Sequence, residues 1–367
     1  MKVTYIVKSE LNFYPPCVTQ IRLLKEFGVD VDVIFGSCSN NVLQIFKHEG
    51  IPFKQIGDTR GVFKGRLDKL NNWLSFRRNL LKELKKRNNN DTLLWFGNAE
   101  TLLPMKWALL HYKYAVTFLE LLDNKKFRMF LLKDMAKKAE FVVSCEETRS
   151  YIMKAWWKLT SLPYTMPNKP YDDPNVLKEL TDEKAISLLH QIGNKKIIIY
   201  QGIVKELGIL TQFAKAVNEV PDDFILLIMG PDPENLVPKL KEITSKVLYS
   251  EYIASPNHLQ VTGRARIGIV YYNGDSNLNR AYCAPNKIYE YSAFGIPMIA
   301  NNIPGLKNTV GLCGAAKCID LISQNIVNSI EYIDRNYDEL SRKSRLFYES
   351  TNIKEIMRQI IDNNHIK

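Results

Sequence analysis

Residues 281–297 read Ala281-Tyr282-Cys283-Ala284-Pro285-Asn286-Lys287-Ile288-Tyr289-Glu290-Tyr291-Ser292-Ala293-Phe294-Gly295-Ile296-Pro297. Pro285 suits a first helical position, where its fixed φ fits and its missing N–H costs nothing. Gly295 and then Pro297 mark the end, so a short helix is expected over 285–294. Ala284 is a poor cap, which leaves the first-turn N–H groups for another partner. Lys287 adds a cation in that turn, and Glu290 stands three residues on, on the same side. At the carboxyl end of a doubly wound sheet, such a helix start can hold a diphosphate. The carboxylate one turn further can accept both hydroxyls of a ribose. The same residues also fit a plain surface helix carrying a Lys–Glu pair.

Outward from this stretch, short apolar runs alternate with helical patterns. Strands are expected at Lys196–Tyr200, Phe224–Met229, His258–Val261, Ile267–Tyr271 and Met298–Ala300. Helices are expected at 206–219, 234–244, 304–310 and 322–347. The first half repeats the alternation, with strands at Val3–Val7, Val31–Phe35, Thr92–Phe96, Ala115–Phe118 and Phe141–Ser144. Its helices fall at 18–27, 41–48, 66–87, 125–138 and 146–157. Alternation of this kind implies parallel sheets covered on both faces. Four prolines between Leu162 and Pro174 interrupt the pattern. The expected division is therefore an N-terminal Rossmann-like domain over 1–165, a linker over 166–190 and a C-terminal Rossmann-like domain over 191–345. A last helix, 346–367, is expected to pack back on the first domain. Doubly wound domains bind ligands at the carboxyl ends of their strands, so two facing ones would place a site in the cleft between them.

Composition is that of a globular protein, at 46% hydrophobic and 24% charged over 367 residues. Residues 1–170 hold 28 basic and 16 acidic side chains, net +12, whereas the remainder has net −1. Such asymmetry points to an anionic surface or substrate for the first half. The cysteines at 17, 38, 145, 283, 313 and 318 form no CxxC pair, which argues against a zinc knuckle or a disulfide framework. The first residues read as a strand, and the expected location is the cytoplasm. The five histidines form no ligand cluster, and Asp30-Val31-Asp32, a formal DxD, fits a strand start. No metal or other cofactor is expected.

The segment APNKIYEYSAFGIPMIANNIPG resembles the donor-binding core of GT-B glycosyltransferases, in particular the retaining glycosyltransferase family 4 group of polysaccharide and glycoconjugate synthesis. Ile199-Tyr200-Gln201-Gly202 is similar to the first strand and turn of their donor domain, and Leu227-Ile228-Met229-Gly230 to the next strand. The resemblance is strong over 195–315 and weak over 1–160. It implies a GT-B fold, two facing Rossmann-like doubly wound domains with a deep cleft. The implied activity is transfer of a hexose-type sugar from a nucleotide sugar, with UDP favoured over GDP, to a glycan, lipid-linked or protein-linked acceptor, with retention. The second Glu of the family's Glu-x7-Glu motif matches Glu290; the first falls at Tyr282. The basic residue that often precedes the first donor-helix Gly falls at Leu207, with Lys205 two residues away. The resemblance thus places Gly202, Lys205, Pro285, Asn286, Lys287 and Glu290 around the donor.

Other candidates are less specific. The polar loop 271–280, with Tyr272, Asn277 and Asn279, could read sugar hydroxyls or be an ordinary turn. Glu120 ends a middle strand, where the family carries a residue facing the reacting centre, and is the catalytic candidate. The run 60–87 interleaves Arg60, Lys64, Arg77, Arg78, Lys82, Lys85 and Lys86 with Trp73, Leu74 and Phe76. It could rest on an anionic membrane as a peripheral contact, or pack on its own sheet with a solvated basic face. No nucleic-acid motif accompanies it. Two rivals remain: a non-catalytic GT-B partner of an active transferase, and a sugar-nucleotide 2-epimerase of the same fold.

Overall fold

Every strand pairing among the described residues is parallel, in keeping with runs buried on both faces. The computed structural model describes residues 2–57, 66–86, 91–109, 111–177 and 180–366. Contacts divide the chain into two compact units. The first is Met1–Tyr171 with Asn277–Asn279 and Asn352–Lys367; the second is Asp172–Ser276 with Arg280–Thr351.

The first unit contains β1 (Lys2–Glu10), β2 (Val31–Ser37), β3 (Phe53–Gln55), β4 (Thr92–Phe96), β5 (Lys113–Phe118), β6 (Val142–Ser144) and β7 (Tyr164–Thr165). They lie in the order β3-β2-β1-β4-β5-β6-β7. Alternation divides the buried side chains between two cores. Val3, Tyr5 and Val7 of β1 join Trp95 on one face; Ile6 joins Leu94 and Phe96 on the other. Helix Ile353–Asn363 buries Met357, Ile360 and Ile361 in the first of these cores. The Asn352 side chain starts that helix by accepting the Glu355 N–H at 3.0 Å. The formal DxD is accounted for locally: Asp32 accepts the Thr4 hydroxyl at 2.8 Å, and Lys2 lies 3.8 Å from Asp30.

The second unit contains β8 (Lys196–Gln201), β9 (Phe224–Met229), β10 (Val247–Ser250), β11 (Ile267–Val270), β12 (Met298–Asn301) and β13 (Ala316–Ile319). Their order, β10-β9-β8-β11-β12-β13, reverses direction between β8 and β11. The first sheet reverses at the equivalent place, between β1 and β4. Such a switch point leaves a crevice outside the strand ends, which is where open α/β sheets bind ligands. Helix Glu183–Ile192, inside the stretch read as linker, packs Leu188 and Ile192 into the second unit's core.

The segment expected as a strand at His258–Val261 is a short helix, His258–Thr262. A four-residue apolar run carries no resolvable period. Its Gln260 turns inward to accept the N–H groups of Thr181 and Asp182 at 3.0 and 3.1 Å. The span 322–347 is two helices, Ser323–Arg335 and Tyr337–Ser350, meeting at Asn336. The four strands missing from the sequence reading, β3, β7, β10 and β13, are short and lie at the sheet edges, where lysines and polar residues blur the apolar signal.

Candidate functional site

The site in the second unit is built at the β8/β11 switch point. The helix read from Pro285 runs from Lys287 to Ala293, with Asn286 as its N-cap. Its ladder starts at the Asn286 carbonyl, which accepts Tyr289 and Glu290 N–H at 3.0 and 3.2 Å. Pro285 is buried just ahead, and no side chain caps the helix start. The helix lies close on the sheet because β11 carries Gly268. A Cβ there would stand 2.5 Å from the Tyr291 ring.

Two charged side chains project from this helix towards the end of β8. Lys287 Nζ donates to the Gln201 carbonyl at 2.8 Å and lies 5.0 Å from the Tyr200 ring centroid and 5.9 Å from that of Tyr272. Desolvation among these groups pulls its pKa from 10.5 to about 8, against the opposing pull of the Glu290 carboxylate. Glu290 accepts a short hydrogen bond from the Gln201 amide, and His258 Nε2 stands 3.8 Å from the same carboxylate. Gln201 is held in turn by the Thr262 hydroxyl, which donates to its Oε1 at 2.7 Å. The carboxylate is thus fixed from one side and remains partly exposed, at 20% of its side-chain surface.

Gly202 follows Gln201 with φ +133°, a conformation that L side chains rarely adopt, and the direction its Cβ would take leads to Lys287 Nζ at 3.6 Å. The Gly202 backbone therefore lies close to the ammonium. Tyr272, just past β11, is clamped by Asn301: its N–H donates to Asn301 Oδ1 at 3.2 Å, and Asn301 Nδ2 donates to its carbonyl at 2.8 Å. Lys205 lies exposed on the loop before helix Leu207–Glu219.

The structure thus brings Gly202, Tyr272, Pro285, Asn286, Lys287 and Glu290 to one switch point. Asn277 and Asn279 group instead with the first unit, where Asn279 Oδ1 accepts the Leu121 N–H at 3.0 Å. Glu120 is exposed two residues past β5, and its charge acts on Tyr14. Gln201, His258 and Asn301 were not singled out from sequence. Of these only Gln201 carried a signal, as the last residue of a strand ahead of a Gly. Among the described residues no cluster of His, Cys, Asp and Glu is suited to a metal ion.

The basic run 60–87 falls partly outside the described residues, including Arg60, Lys64 and Arg87. In helix Arg66–Leu84, Phe76, Leu80 and Leu84 are buried in the first unit's core. Most of the apolar face is therefore spent on its own sheet. Leu70 and Leu74 stay exposed, as do Trp107, Phe127 and Phe130. Lys106 lies 5.9 and 5.8 Å from the Trp107 and Phe130 rings. Among the described residues no helix is long and apolar enough to cross a membrane.

The chain is similar to Anabaena HepE in complex with UDP-glucose, at 14% identity over 99% of each chain and a TM-score of 0.72. It is similar to sucrose-phosphate synthase from Thermosynechococcus elongatus, at 14% identity over 100% of this chain and 98% of that one, with a TM-score of 0.71. The chain has the GT-B fold. A candidate UDP-N-acetylglucosamine 2-epimerase from Listeria monocytogenes shares it at 13% identity, over 100% and 97% of the two chains, with a TM-score of 0.69. At these identities the likeness is one of fold. No family model matches the chain, and no curated protein does.

Proposed function

We propose that this GT-B chain is a glycosyltransferase whose second unit binds a nucleotide sugar, with UDP as the nucleotide. The carrying observation is the pairing, on one short helix at a switch point, of a desolvated lysine with a carboxylate held by a glutamine. Lys287 would neutralise the diphosphate, with Asn286 and the backbone at Gly202 and Pro285 around it. Glu290 would take the ribose hydroxyls. Tyr272 and Lys205 border the same strand ends. HepE, the fold neighbour crystallised with UDP-glucose, supports the choice of UDP.

In the proposed reaction the acceptor oxygen bonds to the anomeric carbon as the C1–O bond to the β-phosphate breaks. The acceptor proton passes to an oxygen of the departing UDP, and the configuration is retained. Stabilising the leaving diphosphate is the protein's main task, and a lysine in a low-dielectric setting does it well. Glu120, at the end of β5, is the proposed acceptor-side residue, and the acceptor is a glycan, free or linked to lipid or protein. Family 4 is the group the motif favours.

The test is incubation with UDP-glucose and UDP-N-acetylglucosamine, with and without a glycan acceptor pool. Acceptor-dependent release of UDP supports the reading. Conversion of the UDP-sugar to its 2-epimer without acceptor would replace it with the epimerase, and no turnover alone, with co-purification of a second transferase, with the non-catalytic partner.

The exposed Leu70, Leu74, Trp107, Phe127 and Phe130, set among lysines, support peripheral contact with an anionic membrane. Lys82, Lys85 and Lys86 are exposed on or just beyond the basic helix. At about 1 kcal/mol per cation near the surface, changing all three to Glu should cut binding to phosphatidylglycerol vesicles at least a hundredfold. Unchanged flotation with vesicles would remove the membrane from the proposal.

A further inference from the structure

The first unit has a switch point of its own, between β1 and β4, and the side chains there are unusual for a strand end. Lys8, near the end of β1, is only 5% exposed. Among the described residues its ammonium has no hydrogen-bond or ion-pair partner, and it lies 5.9 Å from the Trp73 ring centroid. Arg128 stands 5.9 Å from the same ring, but its guanidinium is engaged by Glu100 at 3.3 Å. Glu100 is the carboxylate whose field reaches Lys8, and burial outweighs it, so the Lys8 pKa is lowered.

Beside Lys8 stands a second orphan. Thr101 Oγ1 accepts the Lys8 N–H at 2.8 Å and donates to Asn98 Oδ1 at 2.8 Å. Asn98 Oδ1 also accepts the Thr101 N–H at 2.9 Å, which fixes the amide's orientation. Its Nδ2 is then buried with no acceptor, in a residue only 5% exposed. The Thr101 hydroxyl thus links the Lys8 backbone to the Asn98 amide, which sets the two residues side by side where β1 and β4 end. A buried cation and a buried N–H donor without acceptors each cost free energy that a bound anion would return.

We propose that Lys8 and Asn98 form an anion-binding subsite for a phosphate-bearing ligand. Under the glycosyltransferase reading, on which only this last step rests, that ligand is the acceptor, a phosphorylated sugar or a lipid-linked phosphate.

The test uses the full chain carrying Lys287→Met, so that the second unit's lysine does not contribute. Calorimetry with inorganic pyrophosphate should show binding to this protein. Adding Asn98→Asp keeps both hydrogen bonds at Oδ1 and puts a negative charge where the orphan donor was; it should weaken pyrophosphate at least tenfold. Adding Lys8→Met should do the same and leave Tm unchanged or raised, because methionine fills the stem's space without the buried charge. Vesicles of phosphatidylcholine with and without polyprenyl phosphate form the second arm. Binding that depends on the lipid phosphate and on Lys8 assigns the anion to a lipid, and binding of pyrophosphate alone assigns it to a soluble phosphate. The subsite is overturned if the Lys287→Met protein binds neither probe, or if both added variants bind as tightly as their parent. UDP affinity of the Lys8→Met single variant should stay within twofold of wild type, so failure of the donor site registers separately.

Discussion

Changing Glu290 to Ala should weaken UDP binding by roughly two orders of magnitude and leave Tm within a few degrees of wild type. The carboxylate stands beside Lys287 at the β8/β11 switch point, and Gln201 and His258 hold it from one side. Hydrogen bonds to a charged group are worth about 1.5–3 kcal/mol each, so losing two to a ribose costs about 3 kcal/mol or more. The fold should tolerate the change because Glu290 is partly exposed and fills no core position. Glu290→Gln, with one acceptor oxygen and no charge, should fall between. Isothermal titration with UDP and with 2′-deoxy-UDP separates the roles: wild type should discriminate between them, and Glu290→Ala should not.

The second large effect is a pH dependence carried by Lys287. Its pKa falls from 10.5 to about 8 because burial penalises the ammonium, with Glu290 opposing. Between those values the unfolded chain binds the proton and the folded chain has released it. This group's contribution to stability therefore rises with pH from about 8 to 10.5: the cost of holding the charge is present below that window and relieved through it. Ligand affinity runs the other way, since a diphosphate binds the ammonium. UDP affinity should be level below about pH 8 and fall about tenfold between pH 7 and 9. Lys287→Arg, which does not titrate there, should give a level profile over the same range, and Lys287→Met a level profile at much lower affinity.

What could be read from sequence was what local chemistry dictates. Pro285, Gly295 and Pro297 bracket a helix whichever way the chain packs around it, and β8, β9, β11 and β12 are apolar enough to announce themselves. The Lys287–Glu290 spacing follows from the helix alone. The remainder of the site is made by contacts distant in sequence. Gln201 meets Glu290 across 89 residues, and Asn301 meets Tyr272 across 29, and no periodicity encodes either. His258 was hidden because its apolar neighbours suggested a strand. In the first half, the pattern of helix 66–84 showed an apolar face and a basic face, but only packing could show that Phe76, Leu80 and Leu84 belong to the core. Lys8 follows the run Val3–Val7 with nothing in the sequence to set it apart, and its burial is a property of the folded unit.

In the proposed function the helix at Lys287–Ala293 holds a nucleotide sugar. The most direct measurement is a thermal-shift titration of wild type and Glu290→Ala against UDP, GDP, CMP and TDP sugars. A ligand at 100 times its dissociation constant stabilises the folded state by ~2.7 kcal/mol, well within detection. UDP sugars should give a saturable rise in Tm in wild type that is lost in Glu290→Ala. No shift with any nucleotide sugar, or the same shift in both proteins, would contradict the proposed function.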